Sequence, residues 1–155
     1  MNEADVASLL TQVAPLLDAW ALDEVEGGWH LSIDEKSGID IEFDPVVRRL
    51  VLTSEIGELP GADRLGKLEI LLAYNALWAC HGGVRTALDA VDRRLLLLLD
   101  LSLHDLDVPS ASRVFASFKH VTEQWRRILE APSTSAGGLA EESAAILHSL
   151  NIIRG

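Results

Sequence analysis

The chain has 155 residues, 13 basic against 24 acidic side chains for a formal net charge of −11, and 48% hydrophobic residues. A single domain of this length buries roughly 68–70% of its unfolded surface and needs no disulfide or metal to fold, and the one cysteine, Cys80, has no second cysteine to pair with, as fits a reducing compartment. The acidity opposes nucleic acid as a partner, and neither the acidic start MNEADVASLL nor the leucine run Leu95–Leu99 is expected to direct export or to supply the roughly 20 apolar residues of a membrane span.

Ala4–Trp20 is predicted as an amphipathic helix, because Val6, Leu9, Leu10, Val13, Leu17 and Trp20 recur at steps of three and four. Asn2 is its expected N-cap. Pro15 lacks a backbone donor and clashes with the turn before it, so a kink or break is expected there. After Gly27-Gly28 the period drops to two. Trp29, Leu31 and Ile33 alternate with His30, Ser32 and Asp34, and Ile39, Ile41 and Phe43 alternate with Asp40, Glu42 and Asp44. These are two half-buried strands joined by a hairpin loop at Glu35–Gly38. Asp44-Pro45 marks the next turn, and Leu50 and Leu52 lead a third strand that ends near Ile56.

Gly57–Gly61, GELPG, is loop chemistry, with Asp63 placed to meet the positive end of the following helix. That helix is predicted to run to about Cys80 and to stop at His81-Gly82-Gly83. At 100° per residue, Leu65, Leu68, Leu72, Ala76 and Ala79 share one side, Leu71 and Trp78 lie beside them, and Ile70, Ala73 and Leu77 fall on the far side. Such a helix needs cover on both faces. One layer of a chain this small can cover one face, and a second copy of the chain is the expected cover for the other. Asn75 lies in the stripe with Leu68, Leu71 and Trp78, where a buried amide needs partners and, in a self-associating helix, can fix register.

Val84–Asp89 is short and β-compatible, and Arg94–Leu103, RLLLLLDLSL, is read as a strand after a hairpin-length loop. Ala111, Val114, Phe115, Phe118, Val121, Trp125, Ile128 and Leu129 mark a last long amphipathic helix from about Ser110 to Leu129, opened by Asp107 and Pro109. Residues 1–131 therefore read as one α+β domain, ordered α-β-β-β-α-β-β-α. Residues 132–155 read as a separate tail: PSTSAGG has linker composition, and Leu139–Ile153 carries a weak apolar stripe suited to a loosely docked helix or a partner-binding segment.

Catalytic chemistry is not in evidence. The five histidines fall one per element, and no HExxH, GxSxG, phosphate loop or GxGxxG occurs. Cys80-His81 is the one tempting pair, and neighbouring helical positions point about 100° apart, so local geometry makes no dyad of them. Asp34, Asp40, Glu42 and Asp44 lie on the polar side of alternating strands and read as a solvated face, useful against mispairing with other chains. No metal or cofactor is implied.

One pattern does carry a function. Trp29 with its two alternating strands, Ile56-Gly57 followed by Leu59-Pro60, Leu71-Leu72 with Asn75, Gly83 leading to Ala87-Leu88-Asp89, the Leu97–Leu103 strand, and Phe118 with Trp125-Arg126 and Leu129 occur in this order and spacing. Over roughly Val6–Leu129 the chain resembles the class I type III secretion chaperones, the Tir-chaperone group of Gram-negative bacteria. The resemblance implies a cytoplasmic, non-enzymatic homodimer built mainly around the second helix. It further implies that the dimer binds the extended N-terminal segment of one or more secreted effectors, with the secretion ATPase as a further candidate partner. It places Leu68, Leu71, Leu72, Asn75 and Trp78 at the dimer contact, and Val13, Leu17, Leu31, Ile33, Ile41, Phe43 and Leu52 in apolar effector-binding patches. A free segment of this kind would add strands to a sheet edge, main-chain hydrogen bonds giving affinity without one required sequence. Two other readings compete, a cytosolic adaptor of similar fold without an effector client and a small hydrolase using Cys80 and His81.

Overall fold

The computed structural model of the chain describes residues 1–35, 37–58 and 64–131. The Leu59-Pro60 corner, Asp63 and the expected linker and tail after Pro132 lie outside the described residues. The first helix, α1 (Glu3–Val13), starts where Asn2 accepts a hydrogen bond from the Asp5 N–H at 3.0 Å and the Asp5 carboxylate accepts one from the Asn2 N–H at 2.8 Å. This reciprocal box satisfies two of the donors that a helix start leaves open. The break expected at Pro15 is present: α1 stops at Val13, and Ala14–Leu17 forms a 3-10 turn that ends at Asp18 in the left-handed region. Trp20 therefore leaves the apolar stripe and is 67% exposed.

Six antiparallel strands, in the order β1-β2-β3-β4-β6-β5, make one sheet: β1 (Ala21–Val25), β2 (Gly28–Ser32), β3 (Gly38–Asp44), β4 (Arg49–Glu58), β5 (Arg85–Leu88) and β6 (Arg94–Ser102). The sequence predicts five of these, and β1 is the addition. It folds back on β2 through the two-residue turn Glu26-Gly27, with Gly27 at φ 88°, the chemistry of a tight hairpin. At Gly28 the sheet closes so tightly that a Cβ would sit 2.0 Å from the Ile41 carbonyl oxygen. A bulge between Glu55 and Gly57 bends the end of β4, and the Arg126 guanidinium anchors it by donating Nε–H to the Glu55 carbonyl at 2.9 Å.

The second helix, α2 (Arg64–Ala76), ends four residues before the expected stop at Cys80. The chain then turns tightly, with Leu77 N–H bonded to Tyr74 O, Trp78 N–H to Asn75 O and Cys80 N–H to Leu77 O, and Gly82 and Gly83 take positive φ to reach β5. The glycines thus end a turn, not a helix. The last helix, α3 (Val108–Glu130), is capped by Asp107, whose carboxylate accepts the Ser110 N–H at 2.8 Å. Its buried face (Phe115, Phe118, Val121, Trp125) packs with Val6, Leu10 and Val13 of α1 against the inward rows of the sheet, Leu50, Leu52 and Ile56 of β4 and Leu95, Leu97 and Leu99 of β6. Each such side chain contributes on the order of 1.5–3 kcal/mol by leaving water. Val51, Thr53, Leu96 and Leu98, on the other face of those strands, remain half-buried.

Candidate functional site

Three observations fix how α2 sits. Lys67, buried on the inner side, donates Nζ–H to the Leu129 carbonyl at the end of α3. Tyr74 meets the Trp125 ring edge-to-face at 5.0 Å. Leu71 is 3% exposed. These positions span one 60° arc of the helix, and the arc opposite carries Leu65, Leu72 and Ala76, of which Leu65 is 70% and Leu72 67% exposed. Trp78, on the turn beyond, is 60% exposed, and Leu68 is half-buried at the boundary. Of the five residues expected at a dimer contact, Leu72 and Trp78 thus face outward, Leu68 borders them, Leu71 lies in the core, and Asn75 is bound within its own chain: its amide bonds the main chain of Thr86. A cluster of exposed large apolar side chains on one helix face marks an interaction surface.

The residues expected to form effector patches lie mostly on the inward side of the sheet and helices. Val13, Leu17, Leu31, Ile33, Ile41 and Leu52 are buried, and Phe43 is half-buried against the core. The strand alternation that marks Leu31, Ile33, Ile41 and Leu52 is real, but it points their row at α1 and α3, and Val13 and Leu17 belong to the helical side of that same core. Phe43 and Trp29 do line an open groove of about 800 Å³ with Met1, Glu3, Pro45 and Arg48, between the start of α1 and the β3–β4 turn.

What the sequence reading missed lies around β1. This strand is an edge of the sheet, four of its five residues are exposed, and exposed apolar side chains flank it: Leu16 and Trp20 before it and Val25 at its end. The cue was Trp20 itself, a large aromatic that the Pro15 break removes from the helical stripe.

The outer face of the sheet carries ion pairs. Asp100 of β6 receives both Nη atoms of Arg85 at 3.1 Å and Nη1 of Arg49 at 3.1 Å. The Arg85 hydrogen bonds, joined by the charges of Arg85 and Arg49, hold the Asp100 carboxyl below its ordinary range. On β2 and β3, His30 Nδ1 lies 2.6 Å from Asp40 Oδ1.

Cys80 and His81 do not converge. Cys80 is exposed, whereas the His81 ring is buried and stacked on Tyr74 at 4.3 Å. Burial pushes the imidazole below its ordinary value and the Tyr74 hydroxyl up to about 12. Among the described residues, no group of three His, Cys, Asp or Glu side chains is placed to hold a metal, and no helix is long and apolar enough to cross a membrane.

The same fold occurs in solved structures. A chain of the ExsC-ExsE complex is 21% identical, with a TM-score of 0.71 over 84% of this chain and 98% of that one. A chain of the HopA1-SchA chaperone-effector complex is 20% identical, with a TM-score of 0.64 over 79% and 93%. A chain of the heterodimeric ExoU-SpcU complex from the type III secretion system of Pseudomonas aeruginosa is 22% identical, with a TM-score of 0.52 over 65% and 81%. At these identities the likeness establishes the fold alone. No curated protein matches the chain in sequence. The model of the Tir chaperone protein (CesT) family, however, matches residues 2–126, most of the chain and every element from α1 into α3, and the chain belongs to that family.

Proposed function

We propose that the protein is a type III secretion chaperone without enzymatic activity, which works as a cytoplasmic homodimer and holds the extended N-terminal segment of one or more effectors. The family supplies the function, and the observation that carries the mechanism is the exposed β1 edge between Trp20 and Val25. An extended segment can add to that edge through main-chain hydrogen bonds and place apolar side chains beside Leu16, Trp20 and Val25. Asp23 and Glu24 keep the edge from pairing with arbitrary apolar strands and favour a segment with basic residues. A protein of the same fold, in the HopA1-SchA complex, is described as half of a chaperone-effector pair, which supports this reading. The secretion ATPase remains a further partner on the strength of the resemblance.

The second copy is proposed to cover the outward face of α2. Leu65, Leu72 and Trp78, with Leu68 at the margin, take the place of the five-residue set first expected, because Leu71 and Asn75 are engaged within their own chain. The test of function is affinity purification of the full chain from its own bacterium with mass spectrometry of what accompanies it. A stable complex with the unfolded N-terminal region of a secreted protein is the expected result. A folded cytosolic partner, with no secreted protein retained, would instead make the protein an adaptor.

A further inference from the structure

A sheet has two edges, and they differ here. β1 ends the sheet on one side and β5 on the other. An edge strand turns alternate N–H and C=O groups away from its neighbour, and those groups are a template for a further strand. On β5 the alternation gives this orientation to Thr86, near the middle of the strand, and to Leu88 at its end, and Thr86 is the one that Asn75 engages. Its N–H donates to Asn75 Oδ1 at 2.7 Å, and its carbonyl accepts from Asn75 Nδ2 at 2.9 Å. A carboxamide carries a donor and an acceptor on one plane, as a peptide unit does, and the paired bonds reproduce what one residue of an antiparallel neighbour would make. The Thr86 hydroxyl adds contacts to Asn75 Oδ1 at 3.2 Å and to the Leu71 carbonyl at 3.3 Å, so the threonine is buried under α2. Among the described residues β1 has no such cover: its side chains are largely exposed.

We propose that Asn75 closes the β5 edge: its carboxamide takes the hydrogen bonds a seventh strand would make at Thr86, leaving β1 as the edge that accepts a partner's extended segment. The first half of this inference concerns the protein alone, and the second rests on the reading of the protein as an effector chaperone. The same contact pins the C-terminal end of α2 to the sheet and so holds the Leu65–Leu72 face outward. Asn75 is therefore a positioning residue, acting on the dimer from behind the helix and not across the seam.

The experiment uses the full chain without a client, so it is read independently of effector capture. In the wild type, the Thr86 amide is expected to exchange slowly although it belongs to an edge strand. In Asn75→Ala, its exchange is expected to accelerate by about tenfold or more, and light scattering is expected to show concentration-dependent species above the wild-type mass. The double variant Asn75→Ala/Thr86→Pro is expected to return to the wild-type mass, because proline offers no N–H to an incoming strand and is tolerated on an edge. That rescue separates edge closure from simple destabilisation, which a second substitution would not repair. Should Asn75→Ala not fold, Asn75→Asp keeps the acceptor for the Thr86 N–H, and slow exchange there supports the assignment. Fast exchange of Thr86 in the wild type overturns it, as does an Asn75→Ala protein with unchanged mass and an equally slow Thr86 amide, or assembly that Thr86→Pro leaves intact. A client segment that still binds the wild type with β1 amides unprotected would overturn the choice of β1 alone.

Discussion

His81 shows how one side chain ties the stability of this fold to pH. Its ring is buried against Tyr74, Nδ1 has no hydrogen-bond partner among the described residues, and burial lowers its proton affinity. The unfolded chain therefore holds more protons on this residue than the folded one once pH approaches the ordinary histidine value of about 6.5. The stabilisation is complete above that value and is lost as pH falls toward the folded-state value. His81→Phe keeps an aromatic ring in the stack and removes the proton. Thermal melts between pH 7.5 and 5.5 are expected to show a smaller drop in Tm for the variant than for the wild type, and equal drops would assign the pH dependence to other groups. Asp100 acts in a separate window. Its lowered carboxyl, held by Arg85 and Arg49, contributes stability that is present above about pH 4 and lost as pH falls through the folded-state value. Asp100→Asn is expected to flatten the acid limb of the stability curve, as followed by urea midpoints from pH 5 to pH 2.5.

Among the elements, what could be read from sequence was whatever has a strong period. The α3 stripe, the alternation in β2 and β3, the N-cap at Asn2 and the break at Pro15 all follow from local chemistry. β1 was hidden because ALDEV alternates over too few residues to signal a strand, and its pairing with β2 shows only in the Glu26-Gly27 turn. The functional surfaces were harder to read for a different reason. Periodicity says which residues share a face, not what covers it, so the rows of Leu31, Ile41 and Leu52 could equally have met a client or a helix; α1 and α3 decided the matter. Adjacent leucines on α2 make the contrast testable. Leu71→Ala empties a core site and is expected to cost about 2–5 kcal/mol in denaturant melts. Leu72→Glu changes an exposed position, so the melt of the folded protomer should move little while light scattering reports monomer. A Leu72→Glu protein that stays dimeric would remove the α2 face from the seam.

The whole molecule sets an apolar contact against its own charge. Each chain carries a net charge of −11, so two copies brought together through Leu65, Leu72 and Trp78 gain by removing apolar surface from water and lose by the repulsion of two acidic bodies. The two terms respond differently to salt. The Debye length is about 10 Å at 0.1 M ionic strength and about 3 Å at 1 M, so salt screens the repulsion between the bodies while leaving the apolar contact in place. A seam of this kind is expected to tighten as salt rises: the fraction of 33.8 kDa species, twice the monomer mass of 16.9 kDa, should grow from 20 mM to 500 mM sodium chloride at fixed low micromolar concentration in sedimentation velocity. A seam held by ion pairs responds in the opposite sense, because screening weakens each pair. Dissociation on adding salt would therefore move the contact from the apolar face of α2 to a charged surface such as the Arg49–Asp100–Arg85 network on the outer face of the sheet. A chain that stays monomeric at every salt concentration would leave the exposed α2 face to another partner.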